Sequence, residues 1–229
     1  MRFPAILAYH FLGSSPRGTA KPGLFVSPGE FERQLTTLIS DQATFLTFAQ
    51  LSAGPVPRKS VILTFDDGEE SVYTLAYPIL RRLGIPASVF VVTSEIGKNG
   101  RVWSQSKHTL PLNLIGREAI REMADNGIEF GSHFHHHVRA AGLSDSALQE
   151  EFVTSKAVLE DLLGSPVTTV AYPYGSIDSR TATFAESAGY KYGLTIRPGI
   201  ARNPLRLPRW PVNGRLNFET WRCGFQLAL

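Results

Sequence analysis

Residues 60–65, Ser-Val-Ile-Leu-Thr-Phe, form a β-branched apolar run that stops at Asp66, Asp67 and Gly68. Such a run reads as a buried strand that delivers two carboxylates at its carboxyl end. The next stretch has a different period. Val72, Leu75, Ile79, Leu80 and Leu83 recur at helical spacing, Gly84 is placed to stop the helix, and Pro78 marks an irregularity within it. The alternation then repeats: 5–9, 87–93, 128–131, 167–172 and 191–196 read as further strands. Ser27 and Pro28 open a helix carrying Phe31, Leu35 and Leu38. Residues 117–126 form a helix closed by Gly127, Ser144 caps a long one over 145–163, and another spans 178–188. The stretch 95–115, with Gly97, Gly100 and Trp103, reads as a long loop. Strands alternating with helices predict an α/β domain with a largely parallel sheet, and about six or seven such units predict an incompletely closed barrel. No linker or break in composition divides residues 1–229, so one domain is expected.

Bulk properties exclude several classes. A net charge of +3 is too mild for nucleic acid, which calls for a clustered basic face. No apolar run approaches the roughly 18 residues needed to cross a bilayer. Cys223 stands alone, which excludes an intramolecular disulfide and a cysteine-based zinc knuckle. With Met1 as the native start, no signal peptide is read and a cytoplasmic chain is expected; a piece of a periplasmic or extracellular protein would carry the same residues. Oligomeric state is left open.

Three polar clusters fall immediately after predicted strands: Asp66–Gly68, Ser132–His137 and Tyr172–Gly175. In parallel α/β barrels the carboxyl ends of the strands share one face, where active sites are built. The clusters are therefore expected to converge on one mouth. Four of the six histidines lie within His133–His137. His133 and His137 have the spacing that lets two imidazoles face one metal if the segment takes a helical turn, with His135 and His136 pointing elsewhere. Adjacent carboxylates at Asp66 and Asp67 repel unless a cation offsets their charge, and one of them bound to a metal leaves the other free. Two His and one Asp keep open positions for water and substrate, as hydrolytic metals require. Non-haem iron oxygenases share that triad but place a His and an acid one residue apart, a spacing not found here.

The motifs carrying these residues resemble those of the polysaccharide deacetylases, the NodB-homology group also called carbohydrate esterase family 4. Thr64–Gly68 matches their TFDDG signature, His133–His137 resembles their H-[S/T]-x-x-H motif, and Ala171–Gly175 looks like their third motif. With Ala8, Tyr9 and His10 at the start and Leu207, Pro208 and Arg209 near the end, the resemblance covers nearly the whole chain, and the order is closest to the branch that deacetylates poly-N-acetylglucosamine. It implies a distorted (β/α)7-type barrel and a divalent cofactor, Zn²⁺ before Co²⁺ or Ni²⁺, on Asp67, His133 and His137. It further implies Asp66 as general base, the Tyr174 backbone N–H as an oxyanion donor, and an N-acetylated carbohydrate as substrate. The pattern is departed from in three places. Phe134 replaces the Ser or Thr between the ligands, removing a loop hydrogen bond. Thr168 and Thr169 stand where an Arg orients the base, a role that falls to Arg209. No histidine follows residue 137, which leaves His10 as the catalytic acid. Tyr9, Trp103, Tyr172 and Trp210 are the aromatic candidates for sugar contacts. An amide or ester hydrolase on a small substrate, and an inactive carbohydrate-binding protein on the same fold, remain alternative readings.

Overall fold

In the computed structural model, which describes residues 3–15, 22–51, 53–99 and 112–212, the chain opens with β1 (Ala5–Tyr9) and a short ribbon of β2 (Phe11–Leu12) against β3 (Phe25–Val26). It continues through α1 (Pro28–Ser40), β4 (Thr44–Phe45), α2 (Phe48–Leu51), β5 (Ser60–Phe65), α3 (Tyr77–Leu83) and β6 (Ser88–Val91). The second half adds α4 (Arg117–Asp125), β7 (Glu129–Ser132), α5 (Asp145–Leu163), β8 (Thr169–Ala171), α6 (Thr181–Ser187), β9 (Tyr192–Leu194) and β10 (Trp210–Pro211). Trp103 lies outside the described residues. No helix among the described residues is long and apolar enough to cross a membrane.

Local signals set the boundaries. Ser27 Oγ accepts from the Glu30 N–H (3.2 Å) and Ser144 Oγ from the Ala147 N–H (3.3 Å), each satisfying a donor left over at a helix start. Gly84 ends α3 in the left-handed conformation (φ 65°). The irregularity expected at Pro78 is a π-helical turn over Val72–Ala76, just upstream of it. Proline lacks the N–H that would bond four residues back, so the preceding turn widens. The strand read over 87–93 is shorter than expected, giving way after Val91 to a 3₁₀ turn at Thr93–Glu95.

All sheet pairings are parallel, in the order β10-β1-β5-β6-β7-β8-β9, with β4 added beside β5. The ring is drawn together at one seam: Leu207 bridges Leu194 beside β9, and three residues later Trp210 pairs with Leu7 of β1. Two apolar layers result from the period of two along each strand. Leu7, Tyr9, Leu63, Phe65, Val170 and Tyr172 face outward and pack under Phe31 and Leu35 of α1 and Leu148 and Phe152 of α5. Ile6, Ile62, Phe90, Ala171, Leu194 and Leu207 face inward, over a floor made by Phe48 and Leu51 of α2.

Candidate functional site

The inward register continues past the strand ends, and that continuation builds the site. Along the register of Ile62 and Thr64, two residues beyond Thr64 comes Asp66, two beyond Gly131 comes His133, and two beyond Leu207 comes Arg209. Asp66 stays tied to the sheet because its N–H donates to the Tyr9 carbonyl (3.0 Å). Asp67 turns the chain with φ 73°, and Gly68 follows at φ 71°; a Cβ there would lie 2.7 Å from Val91 Cγ1, so only glycine fits the turn.

Asp67, His133 and His137 come together as a buried triad with ligand atoms within 4.8 Å of one another. Asp67 Oδ1 lies 3.4 Å from His133 Nε2 and 3.3 Å from His137 Nε2. A tetrahedron with metal–ligand bonds of about 2.0–2.1 Å has edges of about 3.3–3.4 Å, which the two Asp67–imidazole separations match, so this donor set could hold a small divalent cation. His133 Nδ1 donates to the Ala171 carbonyl (2.7 Å), which fixes the tautomer and leaves the Nε2 lone pair aimed at the centre. Burial pushes the Asp67 carboxyl up, but the two imidazoles beside it hold it well below the ordinary range. Burial pulls His133 down, yet the charges of Asp66 and Asp67 prevail and raise it, whereas for His137 burial prevails and its pKa is lowered.

Asp66 is 2% exposed and Arg209 fully buried. The guanidinium grips the carboxylate with both arms, Nη1 to Oδ1 and Nη2 to Oδ2, each at 2.7 Å. Two further donors go to the Thr195 carbonyl (2.7 Å) and Thr64 Oγ1 (3.1 Å), so Arg209 is itself held in place. Burial would raise the Asp66 pKa, but the Arg209 charge, aided by His133, more than offsets it and keeps the acid ionised. Arg209 thus occupies the position beside Asp66 that the sequence gives it in place of an arginine at Thr168 or Thr169.

The histidine segment corrects one expectation. It takes no helical turn: Phe134 and His137 are left-handed, at φ 65° and 56°, and the loop between them folds the second imidazole back toward the first. Phe134 offers the loop no side-chain hydrogen bond, and its backbone is held by other residues. Its N–H donates to Ser132 Oγ (3.0 Å), and the N–H groups of His135 and His136 donate to Glu151 Oε2 (2.7 and 3.0 Å). Its ring meets Phe152 edge-on at 5.0 Å, an apolar anchor where a small polar residue is usual in the motif it resembles. Glu151 escaped the motif reading, though an acid beside Leu148 and Phe152 on the apolar face of a predicted helix was a signal.

Tyr174 is also left-handed (φ 59°), inside a 3₁₀ turn at Pro173–Gly175, with its ring 4.8 Å from His137 and the Arg139 guanidinium 4.3 Å above it. His10 is half-buried at the end of β1; burial lowers its pKa against the opposing pull of Asp66 and Asp67. Three aromatic expectations are corrected. Tyr9 is 1% exposed, stacked on Phe65, and its hydroxyl donates to Gln34 of α1 (2.9 Å). Tyr172 is fully buried and donates to the Leu205 carbonyl (2.8 Å), packed so tightly that a Cβ on Gly193 would lie 2.1 Å from its oxygen. Trp210 packs into the outer layer, on the face opposite Arg209. All three sit in the outward register, which points them under the helices and away from the mouth.

Comparison with known proteins places this geometry in context. A family model described as polysaccharide deacetylase matches residues 53–193. YxkH of Bacillus subtilis (strain 168), named as a polysaccharide deacetylase, is 32% identical over 86% of this chain and 65% of its own. The poly-β-1,6-N-acetyl-D-glucosamine N-deacetylase of Staphylococcus aureus (strain NCTC 8325 / PS 47) is 30% identical over 75% of this chain and 61% of its own. The chain therefore spans less than two thirds of the length of either relative. The Streptococcus pyogenes deacetylase PplD, solved in complex with acetate, superimposes with a TM-score of 0.81 at 29% identity, covering 96% of both chains.

Proposed function

The chain belongs to the polysaccharide deacetylase family, and on that footing we propose that it is a metal-dependent N-deacetylase of N-acetylated amino sugars, of the GlcNAc type. The observation that carries this reading is the pairing of two centres on one rim: a buried Asp67–His133–His137 triad beside an ionised Asp66 gripped by Arg209. An inactive binding protein has no use for a buried carboxylate kept charged beside a metal triad.

Asp67, His133 and His137 would hold the cation, Zn²⁺ in our reading with Co²⁺ or Ni²⁺ as substitutes. Bound there, it would polarise the acetyl carbonyl and lower the pKa of the attacking water. Asp66 takes the proton from that water as a carbon–oxygen bond forms at the acetamide carbon. Arg209 presents the base in one orientation through its two parallel hydrogen bonds. The left-handed turn at Tyr174 offers its backbone N–H to the carbonyl oxygen as negative charge develops. His10 donates a proton to the nitrogen as the carbon–nitrogen bond breaks, giving acetate and a free amine. Sugar contacts are assigned to the rim, where Tyr174 and Arg139 stand, since Tyr9, Tyr172 and Trp210 are committed to packing.

The test is acetate release from N-acetylglucosamine oligomers, monomer to pentamer, after chelation and with Zn²⁺, Co²⁺ or Ni²⁺ restored. Metal-restored release that rises with chain length is expected. Release from a monosaccharide or conjugate alone would shift the assignment to a small substrate. No release with any of the metals would count against the deacetylase reading.

A further inference from the structure

Glu151 is 6% exposed and is the one acid among the buried residues of α5, set beside Leu148, Phe152 and Ser155. A carboxylate so placed is costly unless hydrogen bonds compensate it. Its bonds all run to one target. Oε2 accepts the consecutive N–H groups of His135 and His136, while Oε1 meets His136 Nδ1 at 2.7 Å. These two residues are the apex of the loop between the metal-ligand candidates His133 and His137. The same loop contains two left-handed non-glycine residues, Phe134 and His137. Such conformations persist only where the surroundings over-determine them. Phe134 has no polar side-chain atom of its own; Ser132 Oγ takes its N–H (3.0 Å), and the two apex amides are braced from the neighbouring helix.

We propose that Glu151 is a positioning residue of the metal centre: by clamping the two amides at the loop apex it holds His137 in the orientation that brings its Nε2 to Asp67. The inference rests on Asp67, His133 and His137 holding a cation. The other contacts of the loop are weaker in kind. The Thr93 and Ser94 N–H groups donate to the carbonyls of Phe134 and His135 (3.2 and 3.0 Å), and Thr93 Oγ1 lies 2.8 Å from His135 Nδ1. None of these is to a charged group, and hydrogen bonds to an ionised carboxylate are roughly twice as strong.

The experiment titrates Co²⁺ into the metal-free protein, reading affinity by competition and geometry by the visible absorption of the bound ion. Unfolding temperature is measured in chelator. Glu151→Ala should weaken Co²⁺ binding about 10- to 100-fold and change the spectrum, the scale usual for partners of metal ligands. Glu151→Gln, which keeps an acceptor oxygen for both amides, should restore most of the affinity. Leu159→Ala, which opens a cavity on the same helix, should lower the unfolding temperature and leave Co²⁺ affinity unchanged. If the alanine variant does not fold, Glu151→Asp, one methylene short of the amides, takes its place with the same expected loss. Wild-type affinity and spectrum in Glu151→Ala would overturn the assignment, as would an equal loss of affinity in Leu159→Ala. Failure of the unsubstituted protein to bind Co²⁺ would remove the metal centre itself, a result distinct from either.

Discussion

Asp66 and Glu129 are both carboxylates drawn out of solvent, at opposite ends of the same barrel, and their ionisation is set in opposite ways. Glu129, at the start of β7, accepts from the N–H groups of Phe48 and Ala49 (2.8 and 3.2 Å) and from Ser88 Oγ (2.8 Å). Those neutral donors stitch α2 to β6 and β7 but do not outweigh burial, and its pKa is raised. Asp66, at the far end of β5, meets a full guanidinium charge and its pKa is lowered. Backbone strain divides in a similar way. Of the six left-handed non-glycine residues among those described, Asp67, Phe134, His137 and Tyr174 stand on the mouth; Gln42 and Lys59 lie in turns leading into β4 and β5. Dipoles suffice where a carboxylate has only to hold segments together. A carboxylate held charged out of solvent calls for a counter-charge, and the rim that presents it accepts costs the floor avoids.

The largest expected effect comes from neutralising the carboxylate on the rim. Asp66→Asn keeps the shape but not the basicity, and turnover should fall by about 100- to 10,000-fold with metal content unchanged. Substantial activity in a metal-replete Asp66→Asn protein would end its assignment as base. Removing the counter-charge instead separates ionisation from geometry. Arg209→Met leaves Asp66 buried and unpaired, and should cost about 3–5 kcal/mol in denaturant unfolding; a loss below about 1 kcal/mol would show that the acid simply takes up a proton. His10→Ala should slow turnover about 100-fold while retaining metal, and unchanged rates across the pH range would dismiss it as the acid.

The smallest effect belongs to the floor. Glu129→Gln should cost about 1 kcal/mol of stability and leave turnover alone. Its pH dependence has a definite sign. Because the pKa is raised on folding, the folded protein holds this proton more tightly than the unfolded chain does. The stabilisation is complete below the ordinary glutamate value and is lost as pH rises through the raised one. Unfolding temperatures at about pH 4 and about pH 7 should therefore show the unsubstituted protein gaining on Glu129→Gln at the lower pH. Parallel curves would mean that Glu129 titrates alike in both states.

How much the sequence discloses depends on how local each signal is. Ser27, Ser144 and Gly84 act within a turn of themselves, and the helices they bound lie where those residues put them. The acid pair and the histidines are legible because strand ends share a face in a parallel barrel, so separated motifs need no contact map to be brought together. The loop joining His133 to His137 is another matter: spacing alone permits a helical turn, and the left-handed alternative depends on what Glu151 and Phe152 do from α5. Tyr9 and Tyr172 are misread for a related reason. Strands that are apolar on both faces show no alternation of polarity, so nothing in them says which face an aromatic takes. The contact between Arg209 and Asp66 joins residues 143 positions apart, beyond the reach of any window or period, and only the motif resemblance pointed to it.

That contact also fixes when the chemistry is complete. Arg209 rides on the segment that joins β9 to β1 and closes the ring. A ribosome makes the triad and Asp66 long before it makes Arg209. Until Arg209 is in place Asp66 lacks its counter-charge, and the segment that supplies it is the one that pairs with β1 at the seam. On the proposed reading, a chain halted before this seam would carry Asp67, His133 and His137 but no counter-charge for Asp66.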